Sequence, residues 1–294
     1  MYLVFDLGGT FVKFAWINEE GEIKEQGKFR TPFQRVEDLV KKMVDVFDQG
    51  PEKAEGIAIS CPGTVDINSG VIYYGGTLTY LHETNLPKML KEICGVPVSI
   101  ENDGKCAALA ELWLGSIKDY RHAVVLVLGT GVGGGLIIDG KLHRGANLSA
   151  GEISYVMDQH MIEDSEVNFF GIAGSASRMV NEIAKCKGLE DNDGEAVFHH
   201  INQGDPEAAA IFEKYCQTIA LQILNLQHIL DPEVFSIGGG ISVQPIVLEG
   251  IKQAIHSIKQ NNPILKAEPH VVSCHFRSAA NLYGALYHYL LQQK

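Results

Sequence analysis

The 294-residue sequence has no block of lysines or arginines; 24 basic residues stand against 36 acidic ones, for a formal net charge of −12. Nucleic-acid binding needs clustered positive charge, so no DNA or RNA partner is expected. The acidity does not argue against a nucleotide ligand, because backbone amides and a metal ion can hold phosphate inside an acidic protein. Long hydrophobic runs are missing too. The strongest, Ala123 to Leu128, ends at glycines and is far too short to span a bilayer, so no membrane partner is expected. The opening MYLVFDLGGT lacks a cationic region, and Asp6 interrupts its apolar run, unlike a signal peptide. Six cysteines, at 61, 94, 106, 186, 216 and 274, include no CxxC or CxC pair. Without secretion they are expected to be reduced thiols, mostly buried, in a cytoplasmic protein. No GxxxxGKS or GxxxxGKT run and no HRD/DFG pair occurs, which removes the P-loop NTPase and protein kinase readings.

What is present is an ordinary globular composition, 46% apolar and 20% charged, at a length suited to about two domains. Leu3–Leu7, Val12–Ile17 and Glu22–Phe29 read as three strands joined by Gly8-Gly9-Thr10 and a polar turn. An amphipathic helix is expected over Phe33–Asp48, then strands at Gly56–Ser60 and Val96–Ile100 and a helix over Asn102–Leu114. The opening then repeats. Ala123–Leu128 is a strand, Gly129–Gly135 a glycine-rich turn, and Leu136–Asp139 a returning strand. Helices are expected at Gly174–Lys187 and Glu207–Leu230, the second stopped by Asp231-Pro232. Val234–Ile237 is a strand leading into Gly238-Gly239-Gly240, and Ala279–Gln292 closes the chain as a helix. Duplicated strand-turn-strand units with intervening helices predict two mixed α/β lobes facing each other across a central cleft. The expected division is 1–117, completed by helix 279–294, and 118–278.

Two glycine loops dominate the chemistry: Asp6-Leu7-Gly8-Gly9-Thr10 and Leu128-Gly129-Thr130-Gly131-Val132-Gly133-Gly134-Gly135. Successive glycines let backbone N–H groups line an anion, threonine adds a hydroxyl, and Asp6 could hold Mg²⁺ directly or through water. One such loop alone is more often a tight hairpin turn. Two, each in a repeated hairpin, favour phosphate. Gly129-x-Gly131-x-x-Gly134 also satisfies the dinucleotide fingerprint, but that fingerprint requires a following helix, and Leu136–Gly140 reads as strand and turn. Glu101-Asn102-Asp103 lies where a strand meets a helix. Asp103 is a candidate general base and Asn102 suits a hydroxyl-rich ligand, against the equally weighted reading that one of them only caps the helix. Gly151-Glu152 lies on a polar segment, and Gly238-Gly239-Gly240 reads as close backbone approach to a ligand. His160 and His199-His200 show no metal-ligand spacing and are expected at the surface or in caps.

Taken in order over essentially the whole chain, these motifs resemble the ROK family (repressor, open reading frame, kinase) of sugar kinases. Asp6-Leu7-Gly8-Gly9-Thr10 resembles its first phosphate loop, Pro62-Gly63 its sugar-side loop, and Glu101-Asn102-Asp103 the segment with the catalytic aspartate. The Gly129–Gly135 run resembles the second phosphate loop, and Asp231-Pro232 with Ile237-Gly238-Gly239-Gly240 the adenosine region. The resemblance implies a two-lobed, actin-like ATPase (ribonuclease H-like) fold. It implies ATP and Mg²⁺ as cofactors, with Asp6, Gly8, Gly9, Thr10, Gly129, Thr130, Gly131, Gly238, Gly239 and Gly240 on the nucleotide. Sugar would meet Gly63, Asn102, Asp103, Glu152 and Tyr155.

The departures sharpen the expectation. The family's GExGH reads Gly151-Glu152-Ile153-Ser154-Tyr155, so tyrosine replaces histidine, and Met157–Phe170 contains none of the zinc-motif cysteines. Asn168 or Phe169 stands near the glutamate that usually follows those cysteines, and no tryptophan follows Asn85-Leu86. No zinc site is therefore expected, since zinc needs four N or S ligands. The pattern is most similar to the zinc-less β-glucoside kinase branch, which phosphorylates cellobiose and related β-glucosides at a 6-hydroxyl. With the first strand beginning at residue 2, no helix-turn-helix of the repressor members is expected. Glucokinase, N-acetylmannosamine kinase, a catalytically silent sugar-sensing protein and a filament former stay open as alternatives, as does the oligomeric state, a homodimer among the options.

Overall fold

The computed structural model describes residues 1–160, 167–191 and 193–293. The chain divides into two compact units. One comprises Met1–Leu114, Arg144–Ser149 and Ala279–Lys294, the other Gly115–His143 and Ala150–Ser278.

The first unit opens with β1 (Tyr2–Leu7), β2 (Phe11–Ile17) and β3 (Ile23–Arg30), followed by α1 (Val36–Asp48) and β4 (Gly56–Cys61). A small hairpin, β5 (Thr64–Asp66) and β6 (Val71–Tyr73), precedes α2 (Leu86–Cys94), β7 (Val98–Asn102) and α3 (Asp103–Leu114). Its sheet runs β3-β2-β1-β4-β7, with β1 antiparallel to β2 and parallel to β4. The apolar run of β1 is buried at every position, which is what a central strand covered on both faces requires.

The second unit contains β8 (Ala123–Leu128), β9 (Val132–Ile138), β10 (Lys141–His143), β11 (Met157–His160), β12 (Val167–Phe169) and the short α4 (Phe170–Ala173). Then come α5 (Ala176–Lys187), α6 (Gly194–Asn202), α7 (Pro206–Leu230), β13 (Val234–Gly238), α8 (Pro245–Asn261) and β14 (Val271–Ser273). Its sheet order is β10-β9-β8-β13-β14, the same arrangement of a three-strand meander plus two parallel strands. The repeat legible in the sequence is thus a repeat of topology. Helix α9 (Ala280–Gln292) belongs to the first unit, where Leu282, Leu286 and Tyr289 pack against Tyr2, Val4 and Ala58. Leu286 is fully buried; truncating such a side chain to alanine costs about 2–5 kcal/mol.

Two expectations change. The glycine turn ends at Gly131 rather than Gly135, because Gly133, Gly134 and Gly135 pair with Val127, Leu126 and Val125 inside β9. A ladder is made by backbone groups, so glycines can occupy it where a neighbouring backbone lies close. Helix α1 starts at Val36, three residues later than the apolar spacing predicts. Helices α2, α6 and α8 had no counterpart in the sequence reading. Yet α2 is capped by Asn85, which accepts from the Lys88 N–H at 2.9 Å, has Pro87 in its first turn and ends at Gly95 in the left-handed region. Among the described residues, no helix is long and apolar enough to cross a membrane.

Candidate active site

In the first unit the site is built at the ends of β1, β4 and β7. Asp6, 8% exposed near the end of β1, accepts at Oδ1 from Ser60 Oγ (3.1 Å) and from Asn281 Nδ2 on α9 (2.9 Å). Its Oδ2 lies 3.8 Å from Lys13 Nζ. Gly8 and Gly9 follow as the turn, with the Gly8 N–H donating to the Phe11 carbonyl at 3.2 Å and Thr31 Oγ1 donating to the Gly8 carbonyl at 2.7 Å. Thr10 is exposed at the tip. A hard carboxylate just before the glycine turn, with one oxygen fixed by Ser60 and Asn281, is a fitting partial ligand for Mg²⁺, which is usually held by one or two carboxylates, water and substrate phosphates.

At the end of β7, Asn102 is spent on the protein. Its Nδ2 donates to the Gly63 carbonyl (2.9 Å) and to Asp103 Oδ1 (3.0 Å), and its Oδ1 accepts from the Lys105 N–H (3.0 Å). Asn102 is therefore an N-cap of α3 as well as a clamp on the Gly63 loop. Asp103 Oδ1 also accepts from the Gly104 N–H at 2.8 Å, which fixes the carboxylate at the helix N-terminus. Gly63 has φ +93°, and a Cβ there would collide with the Tyr74 carbonyl, so only glycine serves.

Sequence reasoning missed the support behind this turn. Glu101, 1% exposed, accepts the Asn102 N–H at Oε1 (2.8 Å) and takes Arg144 at Oε2, from Nε at 2.8 Å and Nη2 at 2.6 Å. Arg144 Nη2 lies 3.2 Å from His288 Nδ1 on α9; since a guanidinium only donates, the ring accepts there and is neutral. Burial pushes the His288 pKa down to about 4; Glu101 pulls it up and Arg144 adds to the fall. Arg144, His288, Ser60 and Asn281 stand far along the chain from their partners, in no motif, and left no periodic signal.

In the second unit the turn Gly129–Gly131 follows β8. The Gly129 N–H donates to the Gly131 carbonyl (2.9 Å), and the Gly129 carbonyl accepts the Ala176 N–H (2.9 Å) at the start of α5. Thr130 is exposed. Gly238 ends β13; Gly239, at φ +96°, presses on the Leu128 backbone where a Cβ would collide; Gly240 opens the next turn. Gly129 and Gly240 line one cavity of about 390 Å³ with Ala176, Ser177, Phe198 and Gln244, mixing an apolar wall with polar groups as a nucleoside pocket does. Phe198 comes from α6, which sequence reasoning did not find. Gly151, at φ +81°, packs on Gly135, and Glu152 precedes a turn of 3-10 helix, Ile153–Tyr155. Tyr155 is 66% exposed, with its ring edge-on to Phe169 at 6.2 Å. Residues 161–166 of the Met157–Phe170 segment, for which no zinc site is expected, and the side chain of His160 lie outside the described residues. Among the described residues, no three His, Cys, Asp or Glu side chains are grouped to hold a metal ion.

Two α/β units of one strand order, each opening with a glycine turn, define the actin-like ATPase fold. A family model described as "ROK family" matches residues 2–293, and the chain belongs to the ROK family. A β-glucoside kinase of Listeria monocytogenes is 30% identical over 293 residues, covering 98% of this chain and 97% of its own. One from Klebsiella pneumoniae is 30% identical over 252 residues, covering 85% and 84%. Among solved structures, a ROK family protein from Streptococcus pneumoniae in complex with sucrose matches with a TM-score of 0.90 at 30% identity, over 99% of this chain and 98% of its own. A ROK family glucokinase from Streptomyces griseus, in complex with glucose and AMPPNP, shares the fold with a TM-score of 0.81 at 23% identity, over 100% and 99%.

Proposed function

We propose that this chain is an ATP-dependent sugar kinase that phosphorylates the 6-hydroxyl of a β-glucoside such as cellobiose. The observation that carries the reading is Asp103, held at the start of α3 by Asn102 and the Gly104 N–H, in a chain of the ROK family. Asp103 is the general base. As the sugar oxygen bonds to the γ-phosphorus, the bond from that phosphorus to the β–γ bridging oxygen breaks, the hydroxyl proton passes to Asp103, and ADP leaves. Both glycine turns, Gly8-Gly9-Thr10 and Gly129-Thr130-Gly131, are assigned to phosphate oxygens, and Gly238-Gly239-Gly240 with the 390 Å³ cavity to the nucleoside. Asp6 would hold Mg²⁺, which would supply charge neutralisation on the phosphates.

Asn102 positions both Asp103 and the Gly63 carbonyl, while Glu152 and Tyr155 are assigned to the sugar. The similarity to β-glucoside kinases at 30% identity supports a β-linked substrate, as does the exposed Tyr155 ring, whose apolar face suits a second pyranose. Cysteine is absent from Met157–Phe170, which supports a chain without structural zinc. The test is ADP release with cellobiose, an aryl β-glucoside, glucose and N-acetylmannosamine in one enzyme preparation. Cellobiose or the aryl glucoside should have the highest kcat/KM. A free monosaccharide ahead by more than about tenfold, roughly 1.4 kcal/mol of transition-state binding, rejects the β-glucoside assignment.

A further inference from the structure

The turn after β6 carries an exposed group of aromatic rings that neither the fold nor the proposed reaction uses. Tyr74 is 75% exposed and Tyr73 38% exposed. The Tyr74 ring stacks on His82, with centroids 4.8 Å apart and planes inclined by 23°, while Tyr73 meets the same imidazole edge-on at 6.4 Å. The Tyr74 N–H also donates to His82 Nδ1 at 3.4 Å, so ring and backbone fix the pair. Single exposed aromatics need no explanation. Here three rings stand together, and Tyr74 has φ +52°, a conformation rare for a bulky residue. Such strain persists where surrounding contacts impose it, and it gathers at ligand-binding positions.

The surroundings point to a ligand. The Tyr74 carbonyl presses on Gly63, whose own carbonyl is held by Asn102, the residue that also holds Asp103. Three residues further on, Thr77 packs on Gly9 of the first glycine turn, so that a Cβ at Gly9 would lie 2.7 Å from Thr77 Oγ1. The segment Tyr74–Thr77 is thereby anchored on both loops that serve the acceptor and the phosphate. It carries an aromatic face on the way out to solvent.

We propose that Tyr74, backed by His82, is a further platform for the aglycone ring of a β-glucoside, besides the face offered by Tyr155, and that it sets specificity for a β-linked substituent. The inference rests on the proposed function, in which the acceptor hydroxyl of the sugar meets Asp103. A pyranose has an apolar C–H face that lies well on an aromatic ring, and tyrosine adds one hydroxyl for its polar rim. The imidazole beneath keeps the ring from collapsing, and so lowers the ordering cost of binding.

The test compares Tyr74→Gly, Tyr74→Phe and Tyr155→Ala by kcat/KM for cellobiose, an aryl β-glucoside and glucose. Glycine is the residue a positive φ favours, so Tyr74→Gly should remove the ring with the fold intact, checked by its Tm. It should lower kcat/KM for both β-glucosides by about tenfold or more and leave glucose within about twofold, a loss confined to the pocket that contacts the aglycone. Tyr74→Phe keeps the stacking face and should stay near wild type. Equal losses for glucose and cellobiose, or an unchanged ratio, overturn the platform while leaving a working sugar kinase. So does a selectivity loss confined to Tyr155→Ala. If the wild-type protein releases ADP with no sugar at all, the kinase reading falls and takes this inference with it.

Discussion

At Asp103, two donors, the Gly104 N–H and Asn102 Nδ2, converge on a single oxygen, Oδ1. Asparagine offers the same carbonyl oxygen, so Asp103→Asn should fold normally and bind both substrates. What it loses is the proton acceptor. Turnover should fall by about 10²–10⁴ with little change in KM, as read by steady-state ADP release. Retention of more than half the wild-type rate rules Asp103 out as the base. His288 makes a prediction about stability instead. Its pKa, near 6.5 in an unfolded chain, is held down to about 4 by burial, with Arg144 adding to the fall and Glu101 opposing it. The folded protein therefore keeps the ring neutral while the unfolded chain takes up a proton. This contribution is fully present above pH 6.5 and is lost as pH falls towards 4, to the extent of roughly 3 kcal/mol. Replacing His288 by glutamine should flatten that fall relative to wild type, measured as urea midpoints at several pH values. Parallel curves for the two proteins would show that the ring does not stay neutral.

Helices and strands matter here chiefly through their ends. Asp6, Asn102, Gly129 and Gly238 all stand at or just beyond the C-terminal ends of parallel strands, where an open α/β sheet presents its crevice. Gly240, one step beyond β13 and its following glycine, allows a clean test of the nucleoside cavity. Its backbone is not left-handed, and a Cβ there meets nothing within 4 Å, so a larger side chain is tolerated by the fold. Gly240→Phe nevertheless places a ring at the wall of the 390 Å³ cavity. The expected result is ADP binding weakened by about tenfold or more, some 1.4 kcal/mol, at an unchanged Tm, read by calorimetry. ADP binding as tight as wild type would move the nucleoside elsewhere.

On the scale of the molecule, the two units repeat one sheet order while their surroundings differ. Residues 144–149 and 279–294 return to the first unit, and there they bring Arg144 and His288 to Glu101. This ion pair is the polar support behind the turn that carries Asp103. With no cysteine between Met157 and Phe170, purified protein should contain zinc well below one equivalent, and chelator should leave its Tm unchanged. Elemental analysis of protein prepared without chelator decides the matter. Stoichiometric zinc whose removal lowers the Tm would mean that other residues bind it.

The sequence by itself determined whatever is local. Strand ends, glycine turns, the Asn102-Asp103 pair and the duplicated meander follow from residue type and spacing, because hydrophobic periodicity and backbone freedom act over a few residues. It misplaced the end of the second glycine turn, since pairing of Gly133–Gly135 with β8 depends on a partner strand and not on side chains. It passed over α2 although Asn85, Pro87 and Gly95 mark its ends, and over α6, whose nine residues give the buried Val197, Phe198 and Ile201 too short a periodic stretch to stand out. Only the tertiary structure decided what surrounds each reactive group. Asn281 reaches Asp6, and Arg144 reaches Glu101, across distances of chain that carry no periodic signal. The Tyr74–His82 stack is likewise formed by a turn brought against Gly63. Such contacts are fixed by packing of whole elements, so they become legible only once the chain has folded.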